Sequence, residues 1–405
     1  MEKKAFARVY YLDWLRVLAI LTVLVYHSSR FFNMEDWVVK NPTWYPWVEV
    51  WNRFAVAWLM PLIFVISGAS LFYAVGKGGA GKFVMDKVLR LLVPVVVCDL
   101  THASLQVYLE RLTHAQFSGT YFQFLPSYFQ GVYDGSNPAS GNFAVTGMHL
   151  WYLVWLFVFT LILYPLMRWL RGHGHGVLSW VGNLLALPGA VYALALPTLL
   201  LSAFADPDGP VMAQQEAGWA LVTYLWLTFA GFLVISHARL KTSVQRLRWP
   251  SLALAAVSIG AFLYLTFHFG WPSFGTPRYT LVFGLRALAS WCCILAILGF
   301  GRTHLDFSTP FVKYANEAVL PFYILHQTVL LCVGYFVVQW AIPDLFKWAI
   351  ILAMSFVLIM LLYEFLVRRF NVMRFLFGMK TLPKAPAAQP QEMAPASPLD
   401  TLPSA

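Results

Sequence analysis

The residues of this sequence that can do chemistry are ionisable side chains inside long apolar runs. The first run carries three of them, Asp13, Arg16 and His27. In an α-helix the eleven-residue step from Arg16 to His27 is three turns plus about 20°, with a rise of about 16 Å. Asp13 lies about one turn before Arg16 on nearly the same face. The spacing predicts one helical stripe that carries a carboxylate, a guanidinium and, farther along, an imidazole.

The two ends of this stripe suit different chemistry. A guanidinium near a membrane surface suits a phosphate group, and an imidazole deep in apolar surroundings suits a general base. The structural alternative is that Asp13 and Arg16 only form an i, i+3 ion pair and that His27 hydrogen-bonds a neighbouring helix. Spacing by itself leaves both interpretations open.

Three further ionisable residues in apolar runs are predicted site residues. Burying a charge in hydrocarbon costs about 2.5 kcal/mol or more, so such groups face a cavity or a partner. His326 is predicted to assist catalysis, and His149 lies where a substrate would approach from outside. Arg286 either binds an anionic group or pairs with Asp99. The sequence has no P-loop, dinucleotide fingerprint or metal-ligand cluster, so we expect no metal and no permanently bound cofactor.

The elements that position these residues are predicted to be membrane helices. The chain is 60% hydrophobic, 17% aromatic and only 11% charged, too little charge for a soluble protein of 405 residues. A span needs roughly 20 mostly apolar residues. We therefore predict an all-α polytopic membrane bundle over 1–380 with about ten transmembrane helices. The ten runs are 12–32, 53–75, 88–109, 148–170, 178–201, 217–236, 250–269, 279–300, 317–338 and 345–367.

The distribution of basic residues predicts the orientation. With the N-terminus inside, the inner segments carry 20 Lys and Arg and the outer segments carry six. This asymmetry predicts that both termini are cytoplasmic. The net charge of +10 then reflects topology beside an anionic lipid bilayer, and we expect no nucleic-acid partner. Residues 381–405 are rich in Pro and Ala and are predicted to be a disordered cytoplasmic tail. The outward loop 110–147 either covers a site or is a disordered connector.

Four short segments resemble the membrane acyltransferase 3 family. Residues 12–16 (LDWLR), followed by His27, resemble its opening, an Arg or Lys and, after ten residues, a His. FVISG at 64–68, KVLRLLVP at 87–94 and HLWYL at 149–153 resemble its later motifs in order, with Lys87 in place of the more usual Arg. The ending RFLFGMK at 374–380 is similar to the branch typified by glucan biosynthesis protein C.

This resemblance implies an acyl-CoA-dependent O-acyltransferase in the bacterial inner membrane. The donor would be cytoplasmic acyl-CoA, and the acceptor a hydroxyl of a periplasmic glycan such as an osmoregulated glucan. The acyl group would be succinyl or acetyl. By position, His27 would be the catalytic base, while Arg16, Lys87 and Arg90 would serve the CoA-facing side.

Two other functions fit the same buried charges. A transporter or flippase of glycans or lipid-linked sugars would also have about ten helices, although it would more often show inverted repeats and matching broken helices. A non-catalytic scaffold in a glycan-export complex is the second alternative, and it predicts that loss of His27 is silent.

Overall fold

The fold is an almost purely helical bundle, which confirms the predicted all-α class. The computed structural model describes residues 9–76, 78–134, 140–212 and 215–383. Most of the tail predicted as disordered, residues 384–405, lies outside the described residues. The α-helices in chain order are α1 (Tyr10–Ser29), α2 (Pro46–Ala74), α3 (Ala80–Lys87), α4 (Val93–Leu100), α5 (Ala103–Thr113), α6 (Tyr121–Tyr128), α7 (Trp151–Arg171), α8 (His175–Leu185), α9 (Leu196–Phe204), α10 (Leu221–Ser236), α11 (Ala238–Arg246), α12 (Arg248–Phe269), α13 (Pro277–His304), α14 (Pro310–Val337), α15 (Asp344–Leu362) and α16 (Asn371–Leu376).

Short segments complete the described chain. Two π-helical turns, Val88–Leu92 and Tyr363–Val367, join α3 to α4 and extend α15. Two 3₁₀ segments, Met148–Leu150 and Ala190–Ala195, precede α7 and α9. The strands β1 (Gln215–Glu216) and β2 (Trp219–Ala220) form a two-residue antiparallel hairpin.

Seven of the described helices are long and apolar enough to cross a membrane, and they coincide with seven of the ten predicted runs. Two bent pairs, α8 with α9 and α10 with α11, bring the number to nine if each pair is one span; the bends are 111° and 103°. The predicted run 88–109 lies outside this set because Thr101 leaves the helical conformation and separates α4 from α5. The tenth span stays a prediction.

Helix α2 packs closely against α10, and α1 lies against four other helices. A Cβ atom on Gly68 of α2 would overlap the carbonyl oxygen of Thr228 in α10, and one on Gly231 of α10 would overlap the carbonyl oxygen of Val65. Small residues at both positions let the two backbones approach closely, as is common between membrane helices. Helix α1 contacts α2, α13, α14 and α15, so its polar stripe is surrounded by protein on several sides.

Candidate functional site

Helix α14 contacts the residues at both ends of the α1 stripe, Arg16 and His27. Arg16 donates hydrogen bonds to Ser70 Oγ (2.7 Å) and to Asn316 Oδ1 of α14 (2.8 Å). Farther along, the His27 ring lies 5.2 Å from the ring of His326, also on α14. The two contacts are eleven residues apart on α1 and ten on α14, so the helices run side by side in the same direction. The stripe therefore faces the interior of the bundle.

The ion pair expected under the structural alternative for this stripe is present. Arg16 Nη1 lies 3.2 Å from Asp13 Oδ1, and Asp13 is buried. Besides this pair, the guanidinium donates to Ser70 and Asn316, which lie on two other helices. A guanidinium fixed from three directions is suited to present a charge at a defined place.

Lys87 and Arg90 join Arg16 in a group that we call the cation cluster. Lys87 ends α3, and Arg90 lies in the π-helical turn with an exposed side chain. Both are close enough to Arg16 to interact with it electrostatically. Burial and the neighbouring Arg90 lower the pKa of Lys87 to about 8, against a smaller opposing effect of Asp86. Within the described ranges neither Lys87 nor Arg90 forms an ion pair.

The imidazoles of His27, His326 and His149 form a second group, the histidine cluster. The ring centroids of His326 and His149 are 4.8 Å apart, and His326 is only 1% exposed. The Nδ1 of His326 lies 2.6 Å from the carbonyl oxygen of Tyr323 and must donate to it, which leaves Nε2 as a proton acceptor. That Nε2 and the Nδ1 of His27 are both buried and have no hydrogen-bond partner among the described residues.

His149 is held more firmly than its predicted role as an acceptor-orienting group requires. Its Nε2 lies 3.2 and 3.1 Å from the carbonyl oxygens of Tyr323 and Ile324, so this nitrogen is the protonated one. The Tyr323 hydroxyl in turn donates to the His149 carbonyl oxygen at 2.6 Å. The backbone before it is unusual, because Gly147 and Met148 both have positive φ angles (63° and 58°). His149 thus braces the α14 segment that carries His326.

A buried amide network behind the histidine cluster was not predicted. Gln106 Nε2 donates to Thr328 Oγ1 (2.6 Å) and lies 3.4 Å from His149 Nδ1, while Gln327 donates to Gln106 Oε1 (3.1 Å). His102 Nδ1 lies within hydrogen-bond distance of Thr328 Oγ1, at 2.8 Å. The signal available in the sequence was the run of three polar residues, 326–328, in the middle of the ninth apolar run.

The histidine cluster borders a cavity of about 640 Å³ that we call the large cavity. His27, His149 and Arg286 line it. The Arg286 guanidinium lies 4.0 Å from the ring centroid of Trp219, and no ion pair joins it to Asp99 among the described residues. The lining also includes two further cations, Arg30 and Arg53, and a set of aromatic rings and carboxylates, namely Tyr26, Trp37, Tyr133, Trp151, Trp271, Tyr323, Glu35, Asp36, Glu49, Glu110 and Glu216.

The loop 110–147 covers one side of the large cavity with its described residues, 110–134 and 140–147. Glu110 and Tyr133 line the cavity directly. Arg111 ties the loop together by donating to Asn142 Oδ1 (3.0 Å) and to the Gly141 carbonyl oxygen (3.2 Å). Of the two expectations for this loop, the described part corresponds to a folded cover.

The comparisons with known proteins give one match. The sequence fits a family model described as an acyltransferase domain over residues 9–364. No curated protein sequence and no solved structure matches the chain significantly. The matched range includes both the cation cluster and the histidine cluster.

Proposed function

Because the chain belongs to the acyltransferase 3 family and is a membrane acyltransferase, we propose that it moves an acyl group from cytoplasmic acyl-CoA to a hydroxyl of a periplasmic glycan. The observation that carries this proposal is the arrangement along α1 and α14. Arg16 belongs to the cation cluster. About three turns farther along α1, His27 contacts His326 beside the large cavity. The proposed reaction needs a phosphate-binding end and a base end at such a distance.

The cation cluster supports an acyl-CoA donor. Three cations with few carboxylates near them repel one another, and an anionic ligand removes that repulsion. The phosphates of CoA are such a ligand. Arg16 would hold a phosphate through its planar fork, while Lys87 and Arg90 would add further positive charge from α3 and the π-helical turn. The pantetheine arm would then carry the thioester between the helices toward His27.

His27 is the proposed general base. Its ring nitrogen takes the proton of the acceptor hydroxyl, the hydroxyl oxygen forms a bond to the thioester carbonyl carbon, and the carbon–sulfur bond breaks. The electron pair of that bond leaves on the CoA sulfur, which then takes up a proton. His326 assists through its unpartnered Nε2, because the carbonyl of Tyr323 holds its other nitrogen protonated.

The large cavity supports a glycan acceptor. Aromatic faces such as those of Trp37 and Trp271 can stack on sugar rings, and carboxylates such as Glu216 can accept hydrogen bonds from sugar hydroxyls. Arg286 lines this cavity, and its Nη2 has no hydrogen-bond partner among the described residues, so it would contact an anionic substituent of either substrate. We extend the proposal to the branch typified by glucan biosynthesis protein C, with a succinyl or acetyl group, an osmoregulated glucan acceptor, the bacterial inner membrane and ten spans.

The test is acyl transfer by the full chain in proteoliposomes. Radiolabelled acetyl-CoA or succinyl-CoA is supplied on one side of the membrane and glucan on the other, and label in the glucan is counted. We expect transfer by the wild type and its loss, by about 100-fold or more, in His27→Ala. CoA binding and expression should change little.

His268→Ala is the matched control. His268 is exposed, stacks on Tyr264 and does not line the large cavity. We expect that variant to transfer at the wild-type rate. Wild-type turnover by His27→Ala would overturn the assignment of the base, and absence of label in glucan with either donor would overturn the proposed reaction.

Transport of a glycan or lipid-linked sugar is the second candidate, and one observation favours it. The two bent helix pairs are the kind of broken span that transporters use. Movement of glucan across the vesicle membrane without consumption of acyl-CoA would establish this function. Movement only together with transfer would exclude it.

A further inference from the structure

A second polar depression lies away from both clusters, between α8 and α11. It is a groove of about 530 Å³ whose lining includes Asn183 and Leu187 from the α8 side and Arg239 and Arg246 from α11. We call it the basic groove. It lies at the same end of the bundle as Arg16, because α11 packs against the last turns of α13, and α13 there contacts the first turns of α1.

Helix α11 has two distinct faces. The groove residues Arg239, Thr242, Ser243 and Arg246 follow the spacing i, i+3, i+4, i+7 and so form one stripe. The buried residues of this helix, Leu240 and Val244, lie on another side. Since α10 bends by 103° into α11, the short helix runs across the bundle axis. An amphipathic helix that lies crosswise at a bundle end has the geometry of an interfacial element.

Helix α8 supplies an apolar surface beside this polar stripe. Val177, Trp180 and Leu184 are exposed at the spacing i, i+3, i+7, and an exposed Trp is typical of the membrane–water boundary. Leu187 and Pro188, which follow α8, form an apolar wall of the groove itself. A ligand in the basic groove therefore meets arginines and hydroxyls on one side and apolar surface on the other.

From this pairing we propose that the basic groove binds the phosphodiester headgroup of an anionic glycerophospholipid. The guanidinium groups of Arg239 and Arg246 would bind the phosphate, with Thr242 and Ser243 donating hydrogen bonds, and the acyl chains would lie along the exposed face of α8. No Asp or Glu is among the described residues that line the groove, so nothing there repels an anion. Basic depressions between membrane helices on the cytoplasmic side are suited to such headgroups.

Lys241 provides a matched control on the same helix. It carries the same charge as the arginines but lies outside the groove lining, near Arg302 and Asp306. Attraction by the general positive charge of this face would depend on Lys241 as much as on either arginine. Binding in the groove depends on the two arginines and not on Lys241.

Native mass spectrometry of the full detergent-solubilised chain tests the proposal, with phosphatidylglycerol or phosphatidylcholine added. We expect retained phosphatidylglycerol on the wild type, a loss of about fivefold in affinity for Arg239→Gln and for Arg246→Gln, and less than twofold for Lys241→Gln. Ser243→Trp, which fills the groove without removing a charge, should also reduce retention. Melting temperatures identify any variant that fails to fold, and the remaining variants then decide.

Three results would overturn the assignment. Equal losses of phosphatidylglycerol affinity in Lys241→Gln and in the arginine variants would mean diffuse attraction. Equal retention of phosphatidylcholine would mean that the net charge of the headgroup does not determine binding. Displacement of the lipid by an equal concentration of inorganic phosphate would mean a phosphate site without lipid specificity. The measurement does not use acyl transfer, so it is independent of the proposed reaction.

Discussion

The cation cluster and the histidine cluster share helix α1 but are built in opposite ways. Arg90 is exposed and Lys87 is partly exposed, and neither is in an ion pair with a described residue. His326 and His149 are buried, and backbone carbonyls fix which nitrogen of each ring carries the proton. Charge attraction tolerates loose geometry, whereas proton transfer requires one tautomer in one orientation. The difference supports donor binding at one end and bond formation at the other.

The largest expected effect, after that of His27, is the loss of His326. We expect His326→Ala to lower kcat by about 100-fold with little change in the KM for acyl-CoA, because a group that only handles protons contributes chiefly in the transition state. His149→Ala should instead mainly lower the melting temperature, since it removes several buried hydrogen bonds. Steady-state transfer kinetics and thermal unfolding of the two variants would distinguish them. A full kcat in His326→Ala would remove it from the mechanism.

Arg16 lies at the other end of α1, and its substitution should change CoA binding where that of His326 changes kcat. A charged hydrogen bond contributes about 1.5–3 kcal/mol, so we expect Arg16→Gln to weaken CoA binding by about 10-fold to 100-fold. Arg16→Lys should be intermediate because it keeps the charge and loses the fork. Arg278→Gln changes a cation that donates to the Gly270 carbonyl oxygen and does not line the large cavity, and it should leave CoA affinity unchanged. Titration calorimetry with CoA measures all three, and equal affinities of Arg16→Gln and wild type would contradict the phosphate role.

The smallest expected effect concerns Glu216 in the large cavity. Burial raises the pKa of Glu216 to about 7, above the 4.5 of an unperturbed Glu. The folded protein therefore binds this proton more tightly than the unfolded chain, so the associated stability is present below about pH 4.5 and is lost as the pH rises through about 7. Glu216→Gln should raise the melting temperature by a few degrees at about pH 8 and much less at about pH 5. An equal shift at both pH values would show that the carboxylate is not the cause.

Part of the site could be predicted from one helix. The eleven-residue spacing from Arg16 to His27 fixes a common face whatever the helix packs against, because helical geometry is local. The position of the ion pair between Asp13 and Arg16 follows in the same way, and it is present at 3.2 Å. What the face contacts could not be read from α1. His326 is about 300 residues away in sequence, and nothing local indicates that α14 lies beside α1.

The broken third run shows where hydropathy loses its predictive power. Residues 88–109 are apolar enough to be counted as a span, but hydropathy does not register the backbone conformation of Thr101 or the π-helical turn that contains Arg90. Such departures from a straight helix are tolerated when surrounding protein satisfies the freed backbone groups. The surrounding protein is tertiary structure, so a window along the chain does not contain the information.

By itself the sequence determined that the chain is a membrane helical bundle, because composition and run length decide whether a segment prefers lipid to water. It also determined which residues share the stripe on α1. Only the tertiary structure decided that His27 meets His326, that Tyr323 leaves one nitrogen of His326 free as an acceptor, and that Lys87 and Arg90 approach Arg16. Each of these depends on helices distant in sequence, and their relative placement results from the packing of the whole bundle.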